Sequence, residues 1–312
     1  MVVYQYPFKE KLNIPPSVLA LGFFDGVHIA HRDLMKTAKE EARKRGISFG
    51  IFTFSSGGIK QDSAKIYSDE EKAEIFKELG ADFTVFADFP AISGCSPECF
   101  VKDILCRDLN CKACVAGFNF RFGKGASGGA NELSRLMKDA GAEAIIREEI
   151  KGEGGVTLST SLIRNLISDG RISEANRILV IPYNIKGRVL HGRAVGRSIG
   201  FPTVNTEIEK GRIVPMLGVY ASAIPIDGRI YLGVTNVGVC PTFEKRQVHL
   251  ETNIIGFEGD LYGRELRIYL LDFIRPEKAF SSPDELKMQI NVDKNTVINR
   301  YGDIKWQELG LK

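Results

Sequence analysis

The first half of the chain alternates short apolar runs with segments whose apolar positions recur every third or fourth residue. Residues 18–23 form an unbroken apolar run, the pattern of a strand covered on both faces. Over residues 31–45, Leu34, Ala38 and Ala42 share one helical face, and Gly46 is placed to end that helix. Residues 47–54 and 83–87 read as further strands. Between them Ser68 and Glu71 bracket a helix start as a capping box, with Gly80 past its end. Ser96-Pro97-Glu98 opens another helix with a cap and a proline in the first turn. A strand at 113–117, a helix from about Asn131 and a strand at 144–147 continue the alternation. This is the rhythm of a parallel sheet with helices on both faces. Short helices over 159–168 and 173–179 follow.

Past Pro182 the pattern changes. Residues 185–273 hold β-rich pieces separated by glycine and proline (NIKGRVL, LGVYASAI, RIYLGVTNVG, HLETNIIGF, ELRIYLLDF), with no helix of normal length among them. A compact, mostly antiparallel β-barrel is expected. A C-terminal helix is predicted over 282–294, with Pro283 near its start and Leu286 and Ile290 on one face. The expected division is an α/β domain over 1–182 and a barrel domain over 183–312. There is no internal repeat.

Composition narrows the function. Of the 312 residues, 42 are Lys or Arg and 39 Asp or Glu, a net charge of +3, and no basic stripe interleaves with aromatics; a nucleic-acid partner is not expected. No apolar run approaches membrane-spanning length and the N-terminus lacks a signal-peptide pattern, so no membrane partner is expected and a cytoplasmic location is. Five of the six cysteines (Cys95, Cys99, Cys106, Cys111, Cys114) fall within 20 residues. Their spacing is irregular and CKACVAGF turns apolar at once, so core or half-buried thiols are expected rather than a zinc or redox site.

Two segments in the first half carry chemistry. GFFDGVHIAHRDLM places His28 and His31 between a buried strand and a helix start, where free N–H groups and the helix dipole favour anions. Two imidazoles one turn apart can face a triphosphate, and Gly22 and Gly26 let backbone come close to a nucleotide. A zinc pair or ordinary surface histidines remain open from spacing alone. LSTSLIR supplies hydroxyls at Ser159, Thr160 and Ser161 and a guanidinium at Arg164, which suit a phosphate clamp or a plain N-cap run.

At this point the chain resembles a known family. GFFDGVHIAH (22–31), VAGFNFRFGKGASG (115–128) and STSLIR (159–164) resemble the adenylyltransferase motifs of bacterial bifunctional riboflavin kinase/FAD synthetases. The resemblance implies a Rossmann-like nucleotidyltransferase that moves AMP from ATP onto FMN, with Gly22, Phe24, Asp25, Gly26, Asn119, Ser159 and Thr160 at the nucleotide and His28, His31 and Arg164 in catalysis. Departures are Ala30 for glycine, Asn119 for aspartate, Gly129 for an acidic residue, Leu162 for a frequent arginine, and FSSGG (54–58) for F-D-P-H-P. Phe120 and Phe122 can be read as site or core residues.

The second half stands nearer the family pattern. GRVLHGRAVGRSIGFPTVNT (187–206) resembles the riboflavin kinase segment, with Gly192, Gly196 and Gly200 and the cations Arg193 and Arg197 forming a loop suited to phosphates. It is not a Walker A loop. Thr203 and Asn205 alternate on an extended segment, so their oxygens can face one hard cation, and Pro202 stiffens the backbone ahead of them. The resemblance makes this PTxN element the Mg2+ and ATP site, places Asn236 of GVTNVGVCPTF along the nucleotide and flavin side, and assigns the base role to Glu251 in HLETNIIGFEGDLYG. A carboxylate is needed there because a primary alcohol is a poor nucleophile. Asn253 stands where histidine is usual and Gly256 where aspartate is common. Arg275 and Phe280 resemble the closing segment that covers the flavin, with Arg275 a candidate phosphate clamp; Trp306 lies past the expected core.

The expected function is therefore phosphorylation of riboflavin to FMN and adenylylation of FMN to FAD, both from ATP with Mg2+. The rivals are a riboflavin kinase carrying a structural N-terminal module, and a flavin-binding protein without catalysis.

Overall fold

The computed structural model describes residues 1–10, 12–55, 64–190, 200–241 and 246–304. Their contacts divide the chain into two compact units, Met1–Thr160 and Ser161–Lys312. The first holds a six-stranded, all-parallel sheet of β1 (Val2–Tyr6), β2 (Ser17–Leu21), β3 (Ser48–Phe54), β4 (Phe83–Ala87), β5 (Cys111–Gly117) and β6 (Glu143–Arg147), in the order β1-β4-β3-β2-β5-β6. The chain winds outward from β2 in one direction through β3 and β4, then returns beside β2 with β5 and runs the other way. That reversal between β2 and β5 is the switch point where such sheets bind ligands, beyond the carboxyl ends of the strands.

Every residue of β2 and β4 is buried, as the unbroken apolar runs require. Helix α1 (Ile29–Arg45) turns Leu34, Met35, Ala38 and Ala42 to the core. Gly46, in the left-handed region at φ 63°, ends it. Helix α2 (Asp69–Glu78) starts at the complete capping box foreseen from sequence: Ser68 Oγ accepts from Glu71 N at 3.2 Å, and Glu71 Oε2 accepts from Ser68 N at 2.7 Å. The helix opened by Ser96 widens from Phe100 to Asp108 into π-type hydrogen bonding. Cys111 and Cys114 are buried in β5, and burial pushes both thiols up from their ordinary range, which leaves them unreactive core residues.

The second unit is a closed barrel of β7 (Asn184–Leu190), β8 (Val204–Glu207), β9 (Gly218–Ile226), β10 (Arg229–Pro241), β11 (Arg246–Ile254) and β12 (Glu265–Arg275), in the order β10-β11-β8-β7-β12-β9. Asp227 and Gly228, both at positive φ, make the two-residue turn between β9 and β10. Inside the barrel Ser222, Thr235 and Thr252 form a hydroxyl ladder with O···O distances of 2.7 and 2.9 Å. The C-terminal helix runs over Pro283–Tyr301, capped by Ser282, whose Oγ accepts from Glu285 N.

The unit division falls some way before the 182/183 boundary expected from composition. The helix Ile172–Ile178 groups with the barrel because Asn176 donates to Leu270 O at 2.9 Å and accepts from Tyr183 N at 2.8 Å. Proline and glycine mark a change of strand grammar; they do not say which side a preceding helix packs on.

Candidate functional site

In the first unit a cavity of 180 Å³ opens at the switch point, between the turn after β2 and the end of β5. His28, Ala30, His31, Asn119, Ser159 and Thr160 all line it. His28 is the N-cap of α1 but makes no side-chain cap bond, so its own side chain leaves the anion-attracting end of this 17-residue helix uncapped. The two imidazoles are stacked with centroids 3.6 Å apart, and both Nδ1 atoms are buried without a partner among the described residues. Burial lowers His28 to about 4. Burial and the neighbouring His28 hold His31 well below the usual histidine value. Both are therefore neutral near pH 7, hydrogen-bonding groups rather than fixed cations.

Other residues of the GFFDG turn act from beneath. Phe24 is 1% exposed, sits in the left-handed region at φ 48°, and packs edge-on against His31 at 5.0 Å. A Cβ on Gly22 would lie 2.5 Å from that ring, so the glycine makes room for Phe24, whereas the sequence suggested room for a nucleotide. Asp25 is buried and its Oδ1 accepts from Ile66 N at 3.2 Å; Gly26 is buried beside it. Phe122 lies in the core and the partly buried Phe120 packs against it, both on Phe100, which favours the core half of their double reading. An ion pair between Arg147 and Asp33, 2.8 Å, walls the cavity. Sequence reasoning missed it, since 114 positions separate the partners. Arg164 lies one turn into the helix Thr160–Ser168 and groups with the second unit.

In the second unit strand register assembles the site. Glu251 of β11 stands directly between Asn236 of β10 and Asn205 of β8, so a carboxylate and two amides share one row on the outer face of the barrel. A cavity of 210 Å³ on that face is lined by Glu251, Thr203, Asn236 and Asn253, with Phe201, Phe280, Val219, Val234, Leu286 and Ile290 supplying apolar walls. A second cavity, 280 Å³, is lined by Val204, Thr252 and Ile254 of the inward-facing set, by Pro202, and by the turn carrying Asp260 and Tyr262. Thr203 lines both.

Arg275 also lines the 210 Å³ cavity, and it is paired there. Its Nη2 donates to Asp293 Oδ2 at 2.8 Å and its Nε to both carboxylate oxygens at 3.1 Å. Asp293 is 2% exposed. The pair ties β12 to the C-terminal helix, and Arg275 also stacks over Phe280. Its supported role is to hold a wall of the cavity. Of the glycine-rich loop, Gly200 is exposed at φ 85°; Gly192, Arg193, Gly196 and Arg197 lie outside the described residues, as do Ser56–Gly58 of the FSSGG stretch and Trp306.

The two places suit group transfer from a nucleoside triphosphate: a helix end that favours anions in one unit, a carboxylate near hydroxyl and amide oxygens in the other. The class the fold and sites define is that of nucleotide-using transferases. Known proteins narrow it further. The family model for FAD synthetase matches residues 10–161, and that for riboflavin kinase residues 179–300. The bifunctional riboflavin kinase/FMN adenylyltransferase of Bacillus subtilis (strain 168) is 35% identical, over 93% of this chain and 94% of that protein. The protein of the same name from Escherichia coli (strain K12) is 33% identical, over 91% and 93%. The chain belongs to the family of bifunctional riboflavin kinase/FMN adenylyltransferases. A crystal structure titled as a macrolide-efflux protein from Streptococcus pneumoniae is similar throughout, with a TM-score of 0.86 and 30% identity over 96% of this chain and 99% of that one. Among the described residues of this chain no helix is long and apolar enough to cross a membrane.

Proposed function

We infer that the second unit phosphorylates the ribityl hydroxyl of riboflavin from ATP, giving FMN, and that the first unit transfers AMP from a second ATP to FMN, giving FAD. The observation that carries the kinase reading is Thr203 at the wall shared by two cavities, one of which contains Glu251. A base must touch the hydroxyl it activates, so the cavity with Glu251 takes riboflavin; its phenylalanine and aliphatic walls suit an isoalloxazine ring. The other cavity takes ATP. Glu251 accepts the hydroxyl proton as that oxygen attacks the γ-phosphorus; the bond to the β–γ bridging oxygen breaks and ADP leaves.

Thr203 and Asn205 fit Mg2+, which prefers hard oxygen ligands. Phosphate oxygens and water would complete its coordination. When bound, the ion neutralises phosphate charge. In the first unit a phosphate oxygen of FMN attacks the α-phosphorus and pyrophosphate leaves. Neutral His28 and His31 supply hydrogen bonds to the triphosphate, with Asn119, Ser159 and Thr160 on the same cavity and Arg164 as the clamp the family motif implies. Gly192, Arg193, Gly196 and Arg197 belong to this reading as the phosphate loop of the kinase. ATP as shared donor fits a cytoplasmic setting.

One observation favours a second reading, a kinase with an inactive first unit: the Ala30 methyl lines the nucleotide cavity. Incubation with riboflavin, ATP and Mg2+, followed by product separation, decides. FMN with FAD supports the bifunctional reading, FMN alone the second, and neither product refutes both.

A further inference from the structure

Strand β11 alternates its faces. Leu250, Thr252 and Ile254 are buried toward the barrel interior, while Glu251 and Asn253 line the outer cavity. Asn253 is nonetheless only 9% exposed, and its Nδ2 donates to the backbone carbonyl of Pro202 at 2.9 Å. The place of that bond matters. The β8–β11 ladder pairs Glu207 with His249 and ends at Val204 opposite Thr252. Residues 201–203 precede the strand, so the ladder holds neither Pro202 nor Thr203. Proline also lacks an N–H, which removes one means of anchoring the segment. The Asn253 side chain thus extends the pairing past the strand end and fixes the carbonyl joined directly to Thr203, the residue both cavities share.

We propose that Asn253 is a positioning residue of the kinase site: by holding the Pro202 carbonyl it sets Thr203 between the nucleotide and the flavin. This rests on the kinase reading of the two cavities. The requirement is for a donor. Aspartate has nearly the same shape but offers only acceptors when ionised, so in place of the bond it sets two oxygens against each other; histidine, the usual residue in the family motif, carries an N–H and can donate.

The test compares the full-length parent with Asn253→Asp, Asn253→Ala and Asn253→His. Backbone hydrogen exchange over residues 200–206, measured without substrates, should accelerate about tenfold in the Asp and Ala variants and stay near the parent rate in the His variant, since the lost bond releases the anchor that holds the Pro202 carbonyl. In steady state, KM for ATP should rise about tenfold in the Asp and Ala variants and recover in the His variant. Unchanged exchange in the Asp and Ala variants overturns the proposal. So does a raised KM for riboflavin with KM for ATP unaltered, the result expected of a plain flavin contact. Should the Asn253→Asp variant fail to fold by circular dichroism, the Ala and His pair carries the comparison. A parent that makes no FMN refutes the kinase reading instead, while the exchange measurement still reports on the Pro202 anchor.

Discussion

Acid should destabilise the first unit through His28. Burial holds this imidazole at about 4 against the ordinary 6.5, so between those values the unfolded chain binds a proton that the folded chain refuses. A depressed folded value places the stabilisation in full above pH 6.5 and removes it as pH falls toward 4. The gap of about 2.5 pH units corresponds to ~3 kcal/mol once pH is below both values, of which about 2 kcal/mol is already lost at pH 5. That is a large share of the roughly 5–15 kcal/mol that holds a domain together. His31, shifted in the same direction, adds to the loss. Calorimetry on the full chain at pH 7.5 and pH 5, comparing the parent with His28→Gln, isolates the contribution. For a unit of this size ~2 kcal/mol corresponds to a difference of roughly 4–8 °C, so the parent transition should fall further than that of the variant. Equal pH dependence in parent and variant would refute the reasoning, as would NMR titration of the His28 ring with a midpoint near 6.5.

Three further outcomes follow from the sites. Glu251→Gln keeps the shape of the outer cavity but removes the proton acceptor, so riboflavin phosphorylation at saturating ATP should fall by about 10²–10⁴; a rate within threefold of the parent sinks the assignment. Asn205→Ala should weaken use of Mg2+ and ATP by the kinase, with partial recovery at raised Mg2+, and leave FAD formation from supplied FMN unchanged; equal loss of both activities in a folded protein counts against two separate sites. With FMN and ATP supplied directly, the parent should release pyrophosphate and FAD and His31→Ala little of either, because the variant loses one of two stacked imidazoles on the cavity; FAD formation at the parent rate removes His31 from the mechanism.

How much of this was legible in the sequence differs by level. Strands β2 to β6, α1 with its Gly46 stop, the Ser68–Glu71 box and Pro283 at the start of the C-terminal helix are local signals, and each appears in place. The barrel and its terminal helix were also readable, although the helix runs on to Tyr301, past the expected 294. Strand β1 was missed because Val2–Tyr6 is an edge strand with no fully buried residue, and its short apolar run breaks at Gln5. The π-type widening at Phe100–Asp108 has no period of its own in so short a stretch. Motif resemblance pointed to Glu251, Asn236 and Asn205; that they form one row is a fact of register, which no single strand encodes. The partners of Arg275 and Arg147 lie 18 and 114 positions away. A lone arginine in a sequence reads equally as a phosphate clamp or as half of an ion pair; Arg275 is half of an ion pair and also lines the outer cavity. Phe24 sits in a motif that suggests ligand contact, yet its burial makes it a support for His31.

The two barrel cavities share Thr203 but differ in how they are walled, one under the C-terminal helix and the other by inward-facing barrel residues and the Asp260–Tyr262 turn. On the proposed reading each substrate has its own door. Neither has to vacate the site before the other enters, so both are held at once and the phosphoryl group passes directly between them, with no phosphorylated protein as an intermediate. FMN can likewise depart while ADP is still in place. The order of arrival and departure is then set by the relative speeds at the two doors, and the arrangement at Thr203 imposes no sequence of its own.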